Sequence, residues 1–168
     1  MHTDQARSDI DRLMRQYGSQ LLRLCTMILE DASLAQDAVQ DTFLRAYRRF
    51  DTWRGEATEK TWLTAIAVNV CRDYRRGAWF RRIAREKDLA DLPGQSTEFP
   101  FPDNTVITEV MRLPDKYREV ILLRYYQNMK QKDIADALRL SDRAVRQRLH
   151  KANAILRERL KEWYEDEG

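Results

Sequence analysis

Residues Gln131–Lys151 read Q-K-D-I-A-D-A-L-R-L-S-D-R-A-V-R-Q-R-L-H-K, and this stretch decides the fold. Ile134, Ala135 and Leu138 form one apolar face of a short helix. The period breaks at Leu140–Ser141, and the Ser141 hydroxyl can accept a hydrogen bond from a free amide at the start of a second helix. Val145, Leu149 and Ala152 then resume an apolar stripe at i, i+4 and i+7. Two short helices, a tight turn and the small Ala135 at their crossing describe a helix-turn-helix. The turn usually carries glycine where this chain has Arg139. A left-handed backbone there costs about 1 kcal/mol or more, which favours a differently built turn. Arg143, Arg146, Gln147, His150 and Lys151 occupy the outer positions of the second helix. Their side chains suit base edges and phosphates of a major groove, but a merely solvated basic face has the same composition.

Outward from this motif, the chain has 168 residues, room for one ordinary domain or two small ones. Glycine and proline are scarce and strand patterns are absent, so the expected class is all-α. The expected organisation is two small helical domains, 8–87 and 106–164, joined by a flexible linker over 88–105. That linker holds three prolines, one glycine and four acidic residues. Charge is unevenly spread. Residues 45–87 carry 12 basic and 5 acidic side chains, residues 109–162 carry 14 and 8, and the acidic 88–108 separates them. Two basic blocks suit two contacts on one polyanion.

No run of about 18 apolar residues exists, so no membrane-spanning helix is expected. The N-terminus is polar and lacks the apolar core of a signal peptide, which points to a cytoplasmic chain. Cys25 and Cys71 each lie inside an apolar helical pattern and read as buried thiols. With only His2 and His150 as histidines, no zinc cluster and no cofactor is expected. Nucleophile motifs, paired catalytic carboxylates and glycine-rich phosphate loops are absent, so an enzyme has no support.

In the N-terminal half, Ile10, Leu13, Met14, Tyr17, Leu21, Leu24, Cys25 and Ile28 form a wide stripe on a first helix, Ile10–Leu29. Ser33 is positioned to cap a second helix, Leu34–Phe50, with Val39, Phe43, Ala46, Tyr47 and Phe50 facing the core. Asp37, Gln40, Asp41 and Leu44 share another face of that helix. An exposed leucine among acids favours a protein partner over plain solvation. A loop over 51–59 precedes a third helix that runs to about Arg76, where Gly77 ends it. Trp53 and Trp62 suit either core packing or base stacking. Asn69, a poor helix former, lies off that helix's apolar face. In the C-terminal half, helices over Val106–Leu113 and Pro114–Tyr126 lead into the helix-turn-helix.

Four stretches in this order carry a family resemblance. They are D-A-V-Q-D-T-F-L-R-A-Y-R-R-F (37–50), F-D-T-W-R-G-E-A-T-E-K-T-W-L-T-A-I-A-V-N-V-C-R-D-Y-R-R (50–76), L-P-D-K-Y-R-E-V-I-L-L-R-Y (113–125) and D-I-A-D-A-L-R-L-S-D-R-A-V-R-Q-R-L-H-K-A (133–152). Together the chain resembles a bacterial RNA polymerase sigma factor of the extracytoplasmic-function type, with a region-2 domain, a linker and a region-4 domain. The resemblance implies a factor that binds core RNA polymerase through its beta-prime clamp and beta flap. It implies recognition of the −10 and −35 promoter elements and initiation of a stress or envelope-response regulon. It implies polymerase docking by Asp37, Gln40, Asp41 and Leu44, and −10 reading by Trp53, Lys60, Trp62, Asn69, Arg72, Arg75 and Arg76. A base flipped out of the duplex would offer its edge to an amide and its face to aromatics. It further implies −35 reading by Arg143, Arg146, Gln147, His150 and Lys151, and control by an anti-sigma factor, often membrane-anchored. Glu59 departs from the aromatic residue common at its position. The competing reading is a stand-alone helix-turn-helix regulator that binds duplex DNA as a dimer, which leaves 10–76 without a role.

Overall fold

The computed structural model describes residues 2–53, 55, 57–85 and 104–166. The described residues form seven α-helices and no strand, the all-α class expected. The chain divides into two compact units, Met1–Thr97 and Glu98–Gly168. The linker expected over 88–105 lies outside the described residues as far as 103, while Thr105 already belongs to a helix.

The first unit packs α1 (His2–Leu29), α2 (Ala32–Arg48) and α3 (Glu59–Arg85) against one another. Its core joins Leu13, Leu21, Leu24, Cys25, Met27 and Ile28 of α1 to Ala35, Ala38, Phe43 and Ala46 of α2 and Leu63, Ile66, Ala67, Val70 and Cys71 of α3. Both cysteines are buried thiols, as expected. Helix α1 begins eight residues before Ile10. An acidic Asp4 in its first turn and a Gln5–Asp9 hydrogen bond one turn apart support a polar start that no apolar stripe announces. Met14, expected in the core, is exposed, and Met27 is buried instead.

The α1–α2 turn departs from expectation. Asp31, not Ser33, caps α2: its carboxylate accepts from the Leu34 amide at 3.0 Å. Glu30 before it adopts φ 55°, the left-handed step that closes α1. Along α2 the buried face is built from Ala35, Ala38 and Thr42 with Phe43 and Ala46. Tyr47, expected inside, is exposed, and Val39 and Phe50 are half-buried. Gly77 does not end α3, which runs on to Arg85. A glycine costs roughly 1 kcal/mol in a helix, too little to stop one flanked by arginines and alanine.

In the second unit α4 (Asn104–Met111), α5 (Asp115–Ile121) and α6 (Gln131–Leu138) each pack against α7 (Asp142–Asp166). Pro114 stands one residue before α5, and its carbonyl accepts from the Tyr117 and Arg118 amides, each at 2.9 Å. The helix expected to continue to Tyr126 changes instead into a π turn over Leu122–Tyr126. Arg118 is buried, and its guanidinium donates to the Met111 carbonyl at 3.1 Å and to Asp115 at 2.7 Å. Those bonds tie the end of α4 to the start of α5 and satisfy a charge that burial would otherwise penalise.

Candidate promoter-DNA and polymerase interfaces

The helix-turn-helix is built from α6 and α7. Ile134, Ala135, Ala137 and Leu138 bury the inner face of α6, and Val145, Leu149 and Ala152 that of α7. Ser141 caps α7, its hydroxyl accepting from the Ala144 amide at 3.0 Å. The turn is left-handed at Arg139 after all, with φ 56° and ψ 44°. The Leu140 amide reaches the Ala135 carbonyl at 2.9 Å and the Arg139 amide the Asp136 carbonyl at 3.4 Å. This pair of bonds is a Schellman closure, which satisfies the last carbonyls of α6. Burial on both sides of the turn, with Gln131 donating to the Asp142 carbonyl at 3.3 Å, holds the strained residue in place. Arg143, Arg146, Gln147, His150 and Lys151 are all exposed on α7. Beyond them Asn153 donates to the hydroxyl of Tyr125, which is 58% exposed. Neither residue was expected, although Asn153 follows His150 by three positions and extends its stripe.

The second constellation surrounds the loop between α2 and α3. The chain leaves α2 through a 3-10 turn, Phe50–Thr52, and turns back at Gly55, whose φ of 77° suits glycine. Thr58 starts α3, its hydroxyl accepting from the Thr61 amide at 3.1 Å. Trp53 and Trp62 stack with centroids 5.5 Å apart and planes 21° apart, and Phe50 packs on both at 6.3 Å. The Trp53 indole donates to the Ala57 carbonyl at 3.1 Å, closing the loop on itself. Both indoles are half-buried, so they are neither core residues nor free platforms. Each already uses one face on the other. Trp62, Asn69, Arg72 and Arg76 follow one another along α3 in helical register. Asn69 is half-buried and donates from its amide nitrogen to the Ala65 carbonyl at 2.9 Å. Lys60, Arg72 and Arg75 are half-buried and Arg76 is exposed.

The third face lies on α2. Asp37, Gln40 and Leu44 are exposed, Leu44 to 53%, and Tyr47 extends their stripe. Asp41 differs: it is half-buried, and its carboxylate accepts a hydrogen bond from the Tyr74 hydroxyl of α3. Burial, with the Asp41 carboxylate beside it, pushes the Tyr74 hydroxyl up to about 12. Arg45 and Asp73 pair at 3.1 Å across the same two helices.

Residues 13–85 match the Sigma-70 region 2 family and residues 104–154 the Sigma-70, region 4 family. The ECF RNA polymerase sigma factor SigL of Mycobacterium tuberculosis is 32% identical over 89% of this chain and 88% of its own length. The RNA polymerase sigma factor YlaC of Bacillus subtilis is 29% identical, covering 96% of this chain and 97% of that one. Among solved structures, CnrH in complex with the cytosolic domain of CnrY is 27% identical with a TM-score of 0.64, covering 95% of this chain and 94% of that one. The sigma factor RpoE of Bartonella quintana, solved with the anti-sigma factor NepR, shares the fold at 21% identity and a TM-score of 0.69, over 91% of this chain and 97% of that one. With region 2 and region 4 matched in order along one chain of helices, this protein belongs to the sigma-70 family of RNA polymerase sigma factors and is of the extracytoplasmic-function type.

Proposed function

We propose that the chain is an alternative sigma factor that joins core RNA polymerase and directs it to promoters with defined −10 and −35 elements. The observation that carries this reading is the pairing, in one chain, of an exposed groove-reading face on α7 with a region-2 unit bearing an aromatic loop and a basic helix. A stand-alone regulator needs only the first of these. Sigma region 2 is assigned to 8–87 and region 4 to 106–164, with 88–105 between them.

Arg143, Arg146, Gln147, His150 and Lys151 read the −35 duplex, long donors on a helix that fits a major groove. Trp53, Lys60, Trp62, Asn69, Arg72, Arg75 and Arg76 receive the −10 strand, with indoles for base faces and cations for phosphates. Asn69 gives one amide proton to its own helix, so its carbonyl oxygen and second proton are what remain for a base edge. Asp37, Gln40 and Leu44 meet the polymerase clamp directly, and Asp41 does so with the orientation that Tyr74 imposes. The factor works in the cytoplasm without a cofactor and has no catalysis of its own. An anti-sigma factor holds it inactive, a reading supported by the complex of RpoE with the anti-sigma factor NepR.

The test is run-off transcription. Core polymerase with this protein alone should initiate from promoters selected by the reconstituted holoenzyme. Sequence-specific duplex binding by the free protein, with no transcription when core polymerase is added, would favour the stand-alone regulator.

A further inference from the structure

Arg12 of α1 and Glu59 in the first turn of α3 form a two-pronged ion pair, at 3.0 Å and 2.9 Å. Arg12 is further steadied by Gln16, one turn along α1, whose side-chain oxygen accepts at 3.3 Å. The hydrogen-bonded guanidinium holds the Glu59 carboxyl below the usual carboxylate range against the opposing effect of burial, and a hydrogen bond from Tyr17 adds to it. Glu59 lies between Thr58, which starts α3, and Trp62, which stacks on Trp53 one turn later. A carboxylate therefore stands where the aromatic loop passes into α3, one turn before Trp62. On the reading given under Proposed function, that junction receives a strand bearing one negative charge per nucleotide. An uncompensated anion there repels the strand, whereas a paired one presents little net charge.

We propose that Arg12 is a charge-masking residue for the promoter-reading loop: it neutralises Glu59 and draws it toward α1, so that the loop and the first turn of α3 accept the −10 strand. Arg12 then acts through Glu59 and needs no contact with DNA of its own. A direct phosphate contact by Arg12 would weaken binding in the same single variant, so the decisive comparison is the pair of substitutions.

Wild type, Arg12→Ala, Glu59→Gln and the double variant are each assembled with core polymerase. The probe is a labelled single-stranded oligonucleotide with the non-template −10 region of a promoter selected by the wild-type holoenzyme. Arg12→Ala should lower affinity about three- to tenfold near 0.1 M salt, with the loss shrinking as salt screens the charge. Glu59→Gln should bind as well as wild type or better. The double variant should return to the wild-type level, since no carboxylate remains to mask. Assembly with core polymerase should be unchanged in all four, a readout that damage to the three-helix packing would move. A double variant as weak as Arg12→Ala, or Arg12→Ala with wild-type affinity, overturns the proposal. If wild-type holoenzyme starts transcription from no selected promoter, the initiation-factor reading fails first and this inference with it.

Discussion

Asp41 and Tyr74 show how one hydrogen bond can tune a surface. The Tyr74 hydroxyl donates to one oxygen of the half-buried Asp41 carboxylate. Tyr74→Phe should lower stability by about 1.5–3 kcal/mol, the usual worth of a hydrogen bond to a charged acceptor. It should also weaken core-polymerase binding severalfold, and that second loss should vanish in an Asp41→Asn background. An undiminished loss there, in a pull-down with core polymerase, would detach Tyr74 from the docking face. Burial of the Tyr74 hydroxyl, together with that bond, sets a pH dependence. The folded state raises the Tyr74 value from 10 to about 12, so its contribution to stability is fully present below about pH 10 and is lost as pH rises through about 12. Tyrosinate absorbance during alkaline titration should show one tyrosine that ionises late in the wild type and is missing in Tyr74→Phe. On α7, Arg146→Ala should change base preference in the −35 element by about 1–3 kcal/mol of discrimination. Lys151→Ala should weaken all sequences alike and lower the salt slope by about one. Both variants binding duplex as wild type would displace the recognition face from these residues. The five α7 residues were legible in the sequence because a solvent face on an amphipathic helix is a matter of period alone. The Tyr74–Asp41 and Arg12–Glu59 partnerships were not, since they join residues 33 and 47 positions apart.

At the scale of elements, the helix-turn-helix carries a built-in cost at Arg139. The left-handed turn keeps its geometry because the Schellman bonds and the buried faces of α6 and α7 determine it more strongly than the residue's own preference. Arg139→Gly should remove the steric penalty and, after allowing for the greater freedom of glycine in the unfolded chain, stabilise the fold by about 0.5–1 kcal/mol. Chemical denaturation of the two proteins checks this; a less stable glycine variant would mean that the arginine side chain contributes more than its backbone costs. Helix cores were legible from apolar period, but helix ends were not. Asp31 outcompetes Ser33 as a cap, Gly77 is carried through α3, and α5 passes into a π turn. Each of these outcomes involves terms of about 1 kcal/mol or less, small enough for tertiary packing to override.

At the scale of the whole molecule, two units each close a core of their own. Residues 1–97 and 98–168, expressed separately, should each give a helical fragment with a cooperative thermal transition. The first should compete with the full chain for core polymerase, and the second should bind −35 duplex. A fragment without a cooperative transition would mean that its core needs the other unit. The all-α class, the buried cysteines, the helix-turn-helix and its exposed basic face were determined by sequence alone, because amphipathic period and a side-chain cap act within a few residues of one another. Tertiary structure decided the rest. It drew Trp53, Trp62 and Phe50 into one aromatic cluster, turned Asp41 toward Tyr74, clamped Glu59 with Arg12 and forced Arg139 into a left-handed turn. Those outcomes depend on which helices meet and at what distance, and close packing sets that for the whole chain at once rather than for any local stretch of it.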